Sequence, residues 1–188
     1  AGLDAEFRYL EPRFDGSVGA DLLPHDSLAG RSRYLLRADH EGDFGRRRGP
    51  WGVARYGLHG VRVSDDEWWK DFPRATNTFT PRLLPLSADI EQPVEFGAAQ
   101  AVFYVRAQRW QVLQQTIDPI TPPYDRAPQA GVRGGGGLPA GLEFSFETEL
   151  NRFELSDGAG TSTRPTARRW HALGALSRPW REPGWWIV

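Results

Sequence analysis

No cysteine occurs in this sequence, so disulfides, thiol nucleophiles and cysteine-ligated zinc are excluded from it. Methionine is absent too, and Lys70 is the only lysine. Arginine supplies the remaining basic charge, and the formal net charge of -1 gives no general attraction to nucleic acid. Long apolar runs are missing as well. Nowhere do about 18 apolar residues follow one another, so no transmembrane helix is expected. That leaves strand-built membrane proteins open, because their strands are short and only half apolar. No basic segment leading into an apolar run opens these residues, so no secretory leader is expected within them. Helix signals are almost lacking.

What the sequence does have is alternation. In "LDAEFRYL", Leu3, Ala5, Phe7 and Tyr9 point one way and Asp4, Glu6 and Arg8 the other. Period two means a strand with one apolar and one polar face. The pattern returns in "FDGSVGADL" at 14–22 and is strongest in "LEFSFETEL", where Leu142, Phe144, Phe146 and Leu150 oppose Glu143, Ser145, Glu147 and Glu149. Further strands are expected near 32–41, 52–63, 79–91, 99–112, 127–134 and 166–177. The terminal "WWIV" reads as the start of another, which makes about nine strands and a stub.

Connections of two kinds alternate between these strands. Short ones are expected at 11–13, 91–96, 134–139 and 177–184, with a slightly longer link at 42–51. Long polar ones are expected at 24–31, 64–77, 114–128 and 156–165. Alternation of this sort puts all short connections at one end of the sheet. That is the hairpin pattern of an outer-membrane barrel, with tight periplasmic turns and long extracellular loops. Strands of roughly ten residues are long enough to cross at a tilt. Aromatics near strand ends (Tyr9, Trp68, Trp69, Trp110, Trp170, Trp180 and Trp185) resemble interfacial girdles. A soluble β-barrel or sandwich binding protein gives the same alternation with its faces inverted, and alternation alone does not say which face is inside.

The segment "SDDEWWKDFP" after the strand at 52–63 needs its own account. Ser64 and Glu67 fit a capping box, with Asp65 and Asp66 in a first helical turn. A short helix carrying Trp68, Trp69 and Phe72 is expected, stopped at Pro73. The acids lack EF-hand spacing and its glycine, and they have no partner base that would make them catalytic. The loop is better read as packing its aromatics against a barrel rim or lipid. The histidines His25, His40, His59 and His171 show no ligand spacing, and "GVRGGGG" is not followed by the Lys-Ser/Thr of a phosphate loop. No catalytic, metal or cofactor residue is therefore expected. "GRRRG" at 45–49 reads as a solvated turn on the short-loop side.

Several strings are more specific. "AEFRYLEPRFDGSVGADLLPHD", then "YGLHGVRVSDDEWWKDF", then "VRAQRWQVL", "PPYDRAPQ" and "NRF" resemble, in order and spacing, the barrel of the LptD family of lipopolysaccharide-assembly outer-membrane proteins. The resemblance runs over essentially the whole chain. It implies an all-β antiparallel up-and-down meander, a partial transmembrane β-barrel of about nine strands. Residues 1–188 would be part of one barrel domain, without the periplasmic N-terminal domain, the cysteines or the closing strands of the family. The resemblance further implies a non-enzymatic role in the outer-membrane translocon of a Gram-negative cell. Lipopolysaccharide would be the cargo, a plug lipoprotein would fill the lumen, a periplasmic bridge would feed it, and outer-membrane lipid would surround it. Asp4, Glu6, Arg8, Asp15, Asp21, Arg37, Asp39, Glu143, Glu147 and Glu149 are then expected to face the lumen. Trp68, Trp69 and Phe72 are expected at the loop interface.

Overall fold

The alternating segments form strands, and each pairs with its neighbours in the chain. The computed structural model describes residues 2–72, 82–114, 119–155, 165–182 and 185–187. Nine strands make one antiparallel sheet: β1 (Leu3–Glu11), β2 (Phe14–Asp26), β3 (Arg31–Asp43), β4 (Arg55–Val63), β5 (Leu83–Phe96), β6 (Ala99–Val112), β7 (Tyr124–Leu138), β8 (Leu142–Leu155) and β9 (Ala167–Ser177). Their order is sequential, without a crossover. One helical turn, α1 (Trp68–Asp71), follows β4. "WWIV" does not add a strand to this sheet. Its β11 (Trp185–Ile187) pairs with β10 (Trp180–Glu182), which lies inside the segment expected as a turn.

Register carries the alternation across the whole sheet. Phe7 sits opposite Val18, Val18 opposite Ala38, and Ala38 opposite Gly60. Further along, Ile90 faces Val105, Val105 faces Ala130, and Ala130 faces Leu150. Cross-strand partners share a face, so the apolar positions form one continuous face and most of the charged ones lie on the other. The apolar face is uncovered by any second layer among the described residues. Phe7, Val105 and Leu150 are 67%, 53% and 52% exposed. The most deeply buried side chains gather instead at the long-loop end, where Leu35, Val63, Trp68, Leu84 and Leu113 pack together.

Strand ends are where the sequence misleads. The segment 91–96 belongs to β5, and the turn is 97–98, with Gly97 at φ 60°. The glycine run at 134–137 is strand as well, and the turn comes at Pro139–Gly141. The cause is crowding: a Cβ on Gly134 would stand 2.5 Å from the carbonyl oxygen of Gln100, and one on Gly136 would stand 2.7 Å from that of Ala98. Within 114–128, strand begins already at Tyr124.

The lengths also break strict alternation. On the long-loop end the β2–β3 connection shrinks to 27–30, because both strands extend. On the short-loop end, 44–54 is long. It is bound to the sheet rather than free. The Gly52 N–H donates to the Pro93 carbonyl at 2.8 Å, and the Glu95 N–H to the Pro50 carbonyl at 2.8 Å. It so continues the ladder of β5 beyond the start of β4. The ends themselves are as expected: 12–13, 97–98 and 139–141 lie opposite 64–72 and 113–114. Residues 73–77, 115–118 and 156–164 lie outside the described residues.

The apolar face carries an aromatic belt toward its short-loop end. Tyr9 contacts Phe7, Phe14 and His40, and His40 contacts Tyr56, which meets Phe44. The His40 ring bridges the two hydroxyls, Tyr9 at 2.8 Å and Tyr56 at 3.2 Å. Such amphipathic rings suit a boundary between apolar and wet surroundings.

Candidate functional site

The polar face is the candidate site, and it divides into a field of paired charges and a clamp at its rim. The ten charged residues singled out from the sequence all occupy this face by register. Some are brought together and some are not. Arg37 pairs with Asp21 at 3.2 Å, and Arg8 with Glu6 at 2.6 Å. Asp39 faces His59 at 3.1 Å. Glu143 and Glu147 make no ion pair among the described residues.

Glu149 is the centre of a different kind of cluster. Its carboxylate accepts hydrogen bonds from the Tyr104 hydroxyl at 2.7 Å, from Gln129 Nε2 at 2.6 Å and from Asn151 Nδ2. Arg106 and Arg133 lie over the Tyr104 ring at 4.7 and 5.5 Å, and both pair with Glu91. Tyr104 in turn covers Gly131, its register partner, whose missing Cβ would stand 2.6 Å from the ring. Four adjacent strands, β5 to β8, so contribute to one hydrogen-bonded patch. Pairing most donors and acceptors this way, Asn151 Oδ1 excepted, lets a charged face stay ordered.

The rim clamp resolves the "SDDEWWKDF" loop. Arg33 points from β3 toward the loop, and its side chain is 2% exposed. Its Nε and Nη2 hold Asp65 in a fork, both at 3.0 Å. Its Nη1 donates to Asp26 at 3.1 Å and to Asp71 at 2.6 Å. The guanidinium stands 5.4 Å from the Trp68 ring centre and 5.1 Å from that of Phe72. Arg31 adds a second cation on Asp65 at 3.0 Å. A planar fork of five donors suits this use, and a lysine in its place would lack the flat two-pronged geometry that matches both Asp65 oxygens.

The loop therefore folds over the polar face. Trp68 is 1% exposed and packs on Leu35 and Val63, so it meets the strand ends rather than lipid. Trp69 and Phe72 are partly buried against the same cluster, with Lys70 and Arg82 over the Trp69 ring. The capping box does not form. Ser64 gives its hydroxyl to Asp65 at 2.6 Å, and Asp65, not Ser64, accepts the Glu67 N–H at 3.1 Å. The helix consequently starts at Trp68, with Glu67 at its cap position. Burial pushes Asp65 up, but the Ser64 hydroxyl and the Arg33 guanidinium outweigh it and hold the carboxyl below its ordinary range. Burial pushes Asp66 up as well, and there it wins, with Asp65 and Glu67 adding to the rise against a backbone hydrogen bond from Gln114. The acid run thus serves to anchor a loop.

Sequence reasoning missed Arg33, Asp26 and Asp71, and also the Tyr104–Glu149 patch. The available signal was an arginine pair, Arg31 and Arg33, opening β3 at the same end of the sheet as the acid-rich loop that follows β4.

Comparison with known proteins bears on this face. Residues 31–188 match the family described as LptD, LPS transport system D. The chain is 36% identical over 192 residues to the LPS-assembly protein LptD of Polaromonas sp., covering 99% of this chain and 23% of that one. It is 38% identical over 192 residues to the protein of the same name from Paracidovorax citrulli, covering 97% and 22%. The corresponding Chromobacterium violaceum protein is 31% identical over 154 residues, covering 81% and 19%. The chain thus spans less than a quarter of the length of these relatives.

Proposed function

The chain belongs to the LptD family, and on that premise we propose that it forms a run of nine successive strands in the outer-membrane barrel of a protein that assembles lipopolysaccharide. The observation that carries this reading is the uncovered apolar face. A water-soluble sheet buries such a face against a second layer. A barrel strand gives it to hydrocarbon and turns its polar side to a wet lumen. The soluble binding-protein reading lacks that support, because the described residues offer no layer to cover Phe7, Val18, Leu36, Ile90 and Val105.

On this reading the ten charged residues line the lumen. Charges of both signs there hold sugars and water, while acyl chains stay on the apolar side. The work is positional, and the relatives' names describe assembly rather than a reaction. The loop clamped by Arg33 covers one mouth of the lumen from the outer side. A plug lipoprotein within the lumen and a periplasmic bridge below it complete the proposed assembly in a Gram-negative outer membrane. In hydrocarbon the sheet edges at β1 and β9 need partners, which further strands of the barrel would supply.

Photo-crosslinking tests the reading. With benzoylphenylalanine at Asp39 or Glu143 of the full-length protein in its own membrane, adducts to a protein partner are expected. At Val105 or Leu150 only lipid adducts are expected. Protein adducts from the second pair and none from the first would contradict the lumen assignment.

A further inference from the structure

The cations on the apolar face are unevenly placed. Among the described strands, register puts four arginines on that face: Arg62 beside Leu36, Arg109 beside Leu86, and Arg152 opposite Arg168. All four lie at the long-loop end of their strands, and the aromatic belt around Tyr9, His40 and Tyr56 lies at the other. Arginine at the middle of a bilayer is costly, and the cost falls almost to nothing near the headgroups. The four arginines therefore mark a headgroup level on the outer side.

Two of them share a groove. Arg62 and Arg109 line a recess of about 390 Å³ on this face, with Leu36, Leu58 and Leu86 along its floor. Both side chains are exposed. Among the described residues neither guanidinium makes an ion pair, whereas Arg33, Arg37 and Arg106 on the opposite face all do. Arg37, Gln111 and Asp125, whose carboxylate accepts the Trp110 N–H, also border the recess. A largely apolar channel with two unpaired guanidiniums fits an acyl chain capped by an anion.

We propose that this groove is a boundary-lipid site for a phosphorylated lipid of the outer leaflet, with its phosphate on Arg62 and Arg109 and an acyl chain along Leu36, Leu58 and Leu86. The inference rests on the barrel reading above. Guanidinium forks bind phosphate oxygens in pairs, and the surrounding apolar wall weakens the competition from water. The site lies on the outer wall, away from the polar face, so it holds a lipid that surrounds the barrel rather than one passing through it. Lipopolysaccharide presents such a phosphorylated lipid, and phosphate free in solution lacks the chain that fills the groove.

The test uses the full-length protein in phosphatidylcholine vesicles containing lipid A, either bisphosphorylated or phosphate-free. After extraction into mild detergent, retained lipid A is counted by native mass spectrometry. The wild type should retain the bisphosphorylated form roughly tenfold more than R62Q/R109Q, the loss expected when charge-assisted hydrogen bonds are removed. R62K/R109K, which keeps the charge without the fork, should fall between them. Heat-modifiable migration of each protein shows whether it has inserted as a barrel. Equal retention by an inserted R62Q/R109Q, or equal retention of phosphate-free lipid A by the wild type, overturns the site and leaves the barrel standing. A wild type that fails to insert overturns both.

Discussion

Replacing Arg33 by alanine in the full-length protein is expected to release the 64–72 loop and to cost about 3–5 kcal/mol, the range for breaking a buried ion pair from one side. The size follows from what is left behind. Asp65 and Asp26 are nearly buried, with side chains 6% and 12% exposed; Asp26 would keep its charge without the guanidinium that pairs with it, and Asp65 would keep only the half-exposed Arg31. Asp71 is half exposed and recovers by solvation. Trp68 and Phe72, whose rings contact each other, would lose the guanidinium that lies over both. Arg33→Lys should fall between, since it keeps a charge but not the fork. Urea unfolding in detergent gives the energy, and protease cleavage within the loop reports its release. Unchanged cleavage in Arg33→Ala would show that the hydrophobic cluster alone holds the loop. Acid should act in the same direction. The folded-state value of Asp65 is lowered, so its contribution is complete above about pH 4 and is lost as pH falls through that lowered value. Asp66 is raised, so its protonation relieves a cost and opposes this loss in part.

The second large effect separates the two faces at one depth. Phe146 is the middle position of the apolar series Leu142, Phe144, Phe146, Thr148 and Leu150, which ends at Arg152. Phe146→Arg would put a cation at mid-band, at about 2–4 kcal/mol. Ser145→Arg is its neighbour in sequence but sits on the polar face, between Glu143 and Glu147. It should cost under about 1 kcal/mol, because a new cation there meets two carboxylates. Urea titration of both variants in a bilayer measures the difference. If Ser145→Arg is the more damaging, the faces have been assigned backwards. If both cost little, β8 does not span a membrane.

Much of this architecture could be read in advance, for a simple reason. A two-residue period survives any change in strand length, so all nine strands and the membership of both faces followed from residues such as Phe7, Asp21 and Glu147. Strand ends were harder. Gly134 to Gly137 look like a turn, but Gly134, Gly135 and Gly136 are required by backbone carbonyls of the adjacent segments, which only the three-dimensional register reveals. Pro93 looks like a break, yet it lies in β5 as a carbonyl acceptor for Gly52.

The site divides in the same way. Alternation placed the ten charged residues on one face. It carried no information on which of them would meet, because Tyr104 and Glu149 are separated by 45 positions and joined by register alone. The direction in which the acid-rich loop folds was equally hidden. Tryptophan next to a strand end suggests an interface, and the three carboxylates around Arg33 decided instead that Trp68 turns inward.

The central claim is that odd positions of β6 meet lipid and even positions meet the lumen. It is tested most directly by single nitroxide labels at residues 103, 104, 105, 106 and 107 of the full-length protein in lipid vesicles. Collision rates with oxygen, which concentrates in hydrocarbon, and with a water-soluble nickel chelate are measured at each site. Oxygen should dominate at 103, 105 and 107, and the chelate at 104 and 106. The reverse pattern, or none, would contradict the account.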